Sequence, residues 1–464
     1  MGSLSSLLFL LSVAFGLALT CGRPFWGLIC SVAYVYLAPP YKWWGVEYGS
    51  LRIALIISVV TALSFLIHRK QMIKPDKPIF LDKLFLLFLG SVIISTIFAV
   101  REVDFMNDFV IQNYFKFVVF YFLMTRIIQT KREYDWFVWA NIVGCFYLAR
   151  SAYLGAGHHT FGRLEGVGGI AFRDSEGLAT YLCIVLPFMV DYFFVTTGRS
   201  HWRKIAITIF APFIAWVFVE TRTRAALLSL TIMALVAFMF FLRTRRGYKY
   251  ILLGIVGLSG FVYLTDQAFW DRMRTMPAEA DAFTSGKDAI DYPERETPIS
   301  VYDYTRGDLW RAGFRMMQDH PITGVGPNNY QKLSVDYLPG LPKGRAAHNM
   351  FVLIGSENGF PGLMLIISII LSSLALLHKI RKMRPEDSYE ESIYRASVAL
   401  ELAFIGFLVN GLFTNTIYYE AFYWLCALIV VLYRLSWQVQ MKKKYNISNQ
   451  ILQSSLEDTQ VLIL

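Results

Sequence analysis

NMFVLIGSENGFPGLMLIISIILSSLALL, residues 349–377, decides the class of this chain. Glu357 is its only formal charge, and it exceeds the ~20 apolar residues that a helix needs to cross the hydrocarbon core of a bilayer. Comparable runs occur at about 4–20, 25–40, 51–67, 81–99, 109–127, 135–154, 178–198, 204–220, 225–243, 250–265, 393–414 and 419–436. Hydrophobic residues make up 55% of the chain and charged residues 17%, against roughly 25% charged in a soluble domain. Lipid offers the backbone no hydrogen-bond partner, so such runs must satisfy themselves as helices. The expectation is an all-α polytopic transmembrane protein with about 12 or 13 spans. The first two spans are short enough to form a re-entrant pair. The first lacks a basic leading segment and a small-residue cleavage site, so it reads as mature chain rather than a signal peptide.

The basic residues set the expected orientation. Clusters fall at Arg69-Lys70-Lys74-Lys77, Arg126-Lys131-Arg132, Arg199-Arg203-Lys204, Arg243-Arg245-Arg246-Lys249, Lys379-Arg381-Lys382-Arg384 and Lys442-Lys443-Lys444. Every second connection carries one of them. Assigning these to the cytoplasm explains most of the +10 net charge without invoking nucleic acid. The intervening connections, 41–50, 100–108, 155–177, 221–224, 266–348 and 415–418, then face outward. The resulting division is N-terminal transmembrane helices over 1–265, a long outward loop over 266–348, C-terminal transmembrane helices over 349–436 and a cytoplasmic tail over 437–464.

The 266–348 loop is the one long polar stretch, and loops of this length are usually functional. Turns are expected at Pro293, Pro298, Gly324-Val325-Gly326-Pro327 and Pro339-Gly340. The amphipathic run Leu309 to Met317 is expected to form a helix on or in the membrane surface. The five cysteines, Cys21, Cys30, Cys145, Cys183 and Cys426, lie in or beside apolar runs without a CxxC and read as packing residues. No repeat suggests duplicated transporter halves.

Ionisable groups near apolar segments are costly and tend to be functional. On the outward side these are Arg222 and Arg224 in the tight turn of VETRTRAALLSL, Arg163 and Arg173 in the 155–177 loop, Lys116 about two turns inside its span, Arg306 and Arg311 flanking Trp310, and His348. Each also has an ordinary reading. Arg224 can snorkel to the headgroups, Lys116 can pair with Asp108, and the remaining arginines can be loop or surface charge. Arginines in so short an outward turn nevertheless run against the usual charge bias.

His348 opens the segment HNMFVLIGSENGFPGL. Gly355 and Gly359 follow it by seven and eleven residues, which places all three on one helical face. Glycines there let another backbone approach closely, and Pro361 is expected to kink or break the helix. Taken alone, a histidine at a membrane interface is more often structural than catalytic.

The segment resembles the signature of the O-antigen ligase family: a histidine followed by Asn, Ser or Gln, nine residues, then GxxG. Here those are His348, Asn349, Gly359 and Gly362, with Leu363 where the family usually has a small residue. TRTRAALLSL resembles the family's Ser-Arg-Gly-Ala turn, which puts Arg224 on the family arginine, with Thr223 for Ser and Ala225 for Gly. YTRGDLWRAGFRMMQDHPITGVGPNNYQ resembles the stretch ahead of the family histidine. FWDRMRTM (269–276) and CGRPFWGL (21–28) are similar to the exosortase-associated O-glycosylation ligase branch. The order and spacing of these motifs extend the resemblance over most of the chain.

The resemblance implies a glycosyltransferase of the bacterial inner membrane with its active site facing the periplasm. Its donor would be an undecaprenyl diphosphate-linked oligo- or polysaccharide, and its acceptor a hydroxyl such as that of a lipid A-core sugar, with inversion at the anomeric carbon. Arginine forks hold phosphate oxygens bidentately and keep their charge. Arg224, Arg222, Arg163 and Arg306 are the diphosphate candidates in that order, with Lys116 in reserve. An imidazole is largely neutral at pH 7 and can take the acceptor's proton, so His348 is the candidate base. Asn349 or Glu357 can orient it. No cofactor and no metal are expected. Glu102-x-Asp104 as a cation site and His158-His159 as a zinc site are rivals that lack further spaced ligands. The rival functions are a repeat-unit polymerase, a protein O-oligosaccharyltransferase, a metal-dependent lipid-linked glycosyltransferase and a lipid-linked glycan transporter. The gathering of charges at one face favours an interfacial enzyme over the transporter.

Overall fold

A computed structural model describes residues 4–71, 79–103, 108–160, 162–194, 201–241, 259–260, 262–274, 305–338 and 344–461. The helices are α1 (Leu4–Gly22), α2 (Pro24–Leu37), α3 (Ile53–His68), α4 (Phe80–Ile97), α5 (Phe109–Ile127), α6 (Lys131–Tyr153), α7 (Ser175–Phe194), α8 (His201–Glu220), α9 (Arg224–Phe241), α10 (Gln267–Arg274), α11 (Arg306–Asp319), α12 (Tyr330–Tyr337), α13 (Met350–Arg381), α14 (Ser388–Gly411) and α15 (Glu420–Val461). Among the described residues the one sheet is a short antiparallel hairpin, β1 (His158–Thr160) with β2 (Arg163–Glu165), in which Thr160 pairs with Arg163. The protein is an all-α polytopic membrane protein.

Every expected span that lies within the described residues forms a helix; most of 250–265 lies outside them. Seven helical segments among the described residues are long and apolar enough to cross a membrane: 4–22, 80–97, 175–194, 201–220, 350–381, 388–411 and 420–443. This is fewer than the sequence expectation, for reasons of length and polarity. α3 and α9 are apolar but short, and α2, at 14 residues, extends ~21 Å at 1.5 Å per residue. α5 and α6 reach 19 and 23 residues but carry polar groups such as Gln112, Asn113 and Lys116 in α5 and Asp135 and Arg150 in α6.

The bundle has two chemically distinct ends. At one, Asp82 of α4 accepts from Tyr121 and Arg126 of α5, both at 2.8 Å. Lys131 meets Asp135 at 2.5 Å, Arg395 meets Asp191 at 3.1 Å and Lys443 meets Glu390 at 2.7 Å. Arg434 of α15 donates to the Thr125 and Ile128 carbonyls. Except for Lys131–Asp135, which lies within α6, these pairings join different helices close to several of the basic connections. Lys74, Lys77, Asp104, Arg199, Arg243, Arg245, Arg246, Lys249, Pro293, Pro298, Pro339 and Gly340 lie outside the described residues.

At the other end the six intervening connections are stitched together. Lys42 donates to the Val167 carbonyl at 3.3 Å. Val100 N–H donates to Val325 O at 3.1 Å, and Asn328 donates to Asp108 at 2.9 Å. Arg222 meets Asp266 at 2.6 Å, and Tyr418 donates to Glu357 at 2.5 Å. The alternation seen in the basic clusters therefore has a structural counterpart: connections of the same parity share one end.

α11 forms where the amphipathic run is, but it packs on α13. A Cβ on Gly313 would strike Val352, and one on Gly355 would strike Met317, so the two helices meet closely through small residues. α13 is interrupted at Gly359 (φ 67°, ψ −176°), two residues before the expected break at Pro361. The left-handed turn, which glycine tolerates, frees Phe360 N–H to donate to the Pro321 carbonyl at 2.8 Å. Gly359 thus leaves the helical face expected for it, yet it still accommodates close backbone approach, from Pro321 and Ile322.

Candidate active site

The start of α7 organises the polar end. Asp174 Oδ1 accepts from Gly177 N–H at 2.5 Å, and Glu176, the second residue of α7, is buried. Two cations reach its Oε1: Arg306 Nη2 at 3.1 Å and Arg163 Nη2 at 3.4 Å. His348 Nδ1 lies 3.5 Å from Oε2, and Thr414 Oγ1 donates to the same oxygen at 3.2 Å. One carboxylate thereby gathers side chains from the hairpin, from α11, from the segment leading into α13 and from the α14–α15 connection.

Local sequence explains how each is held. Arg306 is the first residue of α11, whose start is fixed by a reciprocal cap: Asp308 N–H donates to Thr305 Oγ1 at 3.3 Å and Thr305 N–H to Asp308 Oδ2 at 2.8 Å. Such caps satisfy the otherwise orphaned first-turn donors. The Arg306 guanidinium also lies 6.0 Å from the Phe413 ring centroid. Arg163 is set by the hairpin register. Its Nε is buried with no acceptor among the described residues, as is the Ser175 hydroxyl. Buried polar atoms of this kind call for an explanation, and a polar substrate group is one.

His348 has a left-handed backbone, φ 49°, and bonds on both flanks hold it there. Behind it, Trp310 Nε1–H donates to the Ala347 carbonyl at 3.1 Å. Ahead of it, Asn349 Oδ1 accepts from Phe351 and Val352 N–H at 2.9 and 3.1 Å, capping α13. Asn349 thus acts on the helix start. Glu357 turns to other partners: its carboxylate accepts from Tyr418 and, at 3.3 Å, from Tyr330 N–H. Its own carbonyl accepts from Ser95 Oγ at 2.5 Å and Gly326 N–H at 3.1 Å.

The remaining candidates separate. Arg222, in a left-handed conformation with φ 43°, pairs with Asp266. Arg224 is half-buried at the start of α9. The turn before it is tied to the α7 entry, because Thr223 Oγ1 donates to the Ser175 carbonyl at 3.4 Å. Lys116 donates to Gln112 at 3.2 Å rather than pairing with Asp108, which instead caps α5. Lys116 lines a separate cavity of about 350 Å³ with Tyr34, Tyr41, Asn113, Tyr418 and Glu420. His159 Nε2 lies 3.1 Å from Glu220 Oε2, and no group of three His, Cys, Asp or Glu suited to a metal occurs among the described residues.

Glu176 and Thr414 escaped the sequence reading. The available signal for Glu176 was a carboxylate at the mouth of an apolar span, three residues after Arg173 and beside Asp174. Thr414 carried none.

Residues 207–367 match the family model of O-antigen ligase. That match, over about a third of the chain, supports membership of the O-antigen ligase family. No curated protein matches the chain. The matched domain, in a multi-pass membrane protein, supports glycan transfer of the ligase and polymerase type with a lipid-linked substrate at that coarse level. The matched O-antigen ligase segment contains Arg222, Arg224, Arg306, His348, Asn349 and Glu357. Arg163, Glu176 and Thr414 lie outside it, so the fold brings residues from both sides of the segment into the Glu176 cluster.

Proposed function

We propose that this protein transfers a glycan from an undecaprenyl diphosphate carrier to an acceptor hydroxyl, with inversion, at the periplasmic face of the bacterial inner membrane. A lipid A-core sugar is the proposed acceptor. The observation that carries the reading is the convergence of Arg306, Arg163 and His348 within 3.5 Å of one buried carboxylate. Two guanidinium groups and an imidazole supply what such a transfer needs.

In the proposed step, neutral His348 accepts the acceptor's hydroxyl proton while the acceptor oxygen bonds to the anomeric carbon. The bond from that carbon to the diphosphate oxygen breaks, and its electron pair leaves with the lipid diphosphate. Arg306 and Arg163 meet the charge that develops there, with Arg224 at the adjoining turn. Preorganised cations act most strongly where charge grows in the transition state, and a positioned base contributes roughly 10²–10⁴-fold. The 266–348 loop serves as the catalytic loop, and no divalent metal takes part.

The test uses purified protein and lipid-linked donor, with carrier binding and transfer measured separately. His348→Gln is expected to slow transfer by about 10²–10⁴-fold while carrier binding persists. Arg306→Ala is expected to weaken both. Transfer at the wild-type rate by His348→Gln would remove the base assignment. In cells lacking the protein, full-length polymer stranded on carrier lipid supports ligation, whereas shortened polymer indicates a polymerase.

A further inference from the structure

Glu176 divides its two oxygens between two kinds of partner. Oε1 faces the guanidinium groups of Arg306 and Arg163, and Oε2 faces the imidazole of His348 and the Thr414 hydroxyl. The carboxylate is nearly enclosed, with 8% of the residue exposed, so its place is fixed by its neighbours rather than by water. The nitrogen of His348 turned toward it is Nδ1. A carboxylate accepts hydrogen bonds and cannot donate one when ionised. The proton of a neutral His348 therefore belongs on Nδ1, which leaves the lone pair on Nε2, the nitrogen on the other side of the ring.

We propose that Glu176 is a positioning residue for glycan transfer: it holds His348 in the tautomer whose Nε2 receives the acceptor's proton, and it supports the imidazolium that results. The proposal rests on the base assignment made above. It adds a consequence for the cations. Because the same carboxylate also partners Arg306 and Arg163, its charge offsets part of theirs before the carrier binds. Glu176 therefore favours proton transfer while restraining the grip on diphosphate. A further charged group beside this set is Asp174, which sits within electrostatic reach of His348, Arg163 and Glu176. Thr414 completes the arrangement by fixing Oε2 from the α14–α15 connection.

The two effects have opposite signs, which separates positioning from simple structural support. Glu176→Gln keeps the shape and removes the charge. Its amide N–H can face Nδ1, which moves the imidazole proton to Nε2 and disables the base; a wrong tautomer of this kind is severely damaging in a related catalytic arrangement. In the purified full-length protein, Glu176→Gln is expected to lower kcat at least about 10-fold, with the Kd for undecaprenyl diphosphate unchanged or smaller. Glu176→Asp retains the charge with a shorter reach, and is expected to recover part of kcat. The double variant Glu176→Gln/His348→Gln is expected to be no slower than His348→Gln alone, because a residue acting through another adds nothing once that other is gone.

Parallel losses of kcat and carrier affinity in both Glu176→Gln and Glu176→Asp would overturn the proposal in favour of a structural role. So would a double variant whose loss equals the two single losses multiplied. If His348→Gln is slow but Glu176→Gln is not, only the positioning role falls. If His348→Gln itself transfers normally, the base assignment falls, and this role falls with it.

Discussion

Trp310 and Ala347 are joined by a single hydrogen bond, 3.1 Å from the indole Nε1–H to the carbonyl. It couples the helix that begins with Arg306 to the residue immediately before His348. Cation and imidazole are thereby positioned by one connection as well as by their shared carboxylate. Trp310→Phe keeps the aromatic packing and deletes the donor. A neutral hydrogen bond contributes about 0.5–1.5 kcal/mol net to stability, so Trp310→Phe is expected to lower stability by no more than about that amount and, through the loosened His348, to slow transfer about 3- to 10-fold. An unchanged rate would show that the bond supports folding only.

Glu357 serves the frame. It is buried and accepts from Tyr418 and from Tyr330 N–H, linking α13 to the 415–418 connection and to α12. Glu357→Ala strands both donors in the interior. A buried group left unsatisfied costs about 1–3 kcal/mol. The expected outcome is a clear drop in apparent melting temperature in detergent, with normal specific activity in the fraction that remains folded. Loss of activity without loss of stability would return Glu357 to the list of groups that orient the chemistry.

Lys116 and Arg306 are both cations at the polar end, but they belong to different places. Lys116 lines the cavity beside α5, whereas Arg306 contacts Glu176. Hydrogen bonds to charged groups are worth about 1.5–3 kcal/mol, so Arg306→Ala is expected to weaken carrier binding by roughly 10- to 100-fold. Lys116→Gln is expected to change it less than about 3-fold, in keeping with a group that meets no diphosphate. Titration of undecaprenyl diphosphate against each variant decides the matter, and a larger effect at Lys116 would move the carrier's head to that cavity.

Divalent metal is expected to be dispensable. His159 is engaged with Glu220 at 3.1 Å, and the described residues supply no three-ligand group. Transfer by protein dialysed against EDTA should proceed at the rate seen with magnesium or manganese. A rate that collapses in EDTA and returns with either ion would overturn the metal-independent reading.

Much of this architecture was legible in the sequence because lipid imposes a simple rule. Long apolar runs must be helices, and the spacing of Arg126, Lys131, Arg203, Lys379 and Lys443 along the chain marks alternate connections. Arg163, Arg306 and His348 also stood out, since ionisable groups at span ends have few cheap explanations. What the pattern could not give was who meets whom. Glu176 fell inside the 155–177 connection with no reading of its own, and only the fold encloses it among three cationic or basic side chains. Glu357 looked like part of the histidine motif, yet its partners come from 330 and 418, far away in sequence. The α13 break fell at Gly359 because the neighbouring 321–322 backbone needs the room. The span count differed because length and polarity were judged from apolar runs, whereas α2 proved short and α5 and α6 proved polar.

The same parity rule yields the most direct test of orientation. Arg126, Lys131 and Lys443 lie at the basic end of the bundle, and the Glu176 cluster is built from the connections of opposite parity. Positively charged connections are retained in the cytoplasm, so the cluster should face the periplasm. Gln318 is exposed on α11 near the cluster's end, and Gln440 is exposed on α15 beyond the basic end. Single cysteines placed at Gln318 and Gln440, in a background with the five native cysteines replaced, report the two sides. A membrane-impermeant maleimide is expected to label Gln318→Cys in intact spheroplasts and Gln440→Cys only after permeabilisation. The reverse pattern would place the cluster beside nucleotide sugars, remove the need for a lipid-linked donor and overturn the proposed location, while leaving the helices and the Glu176 geometry as they are.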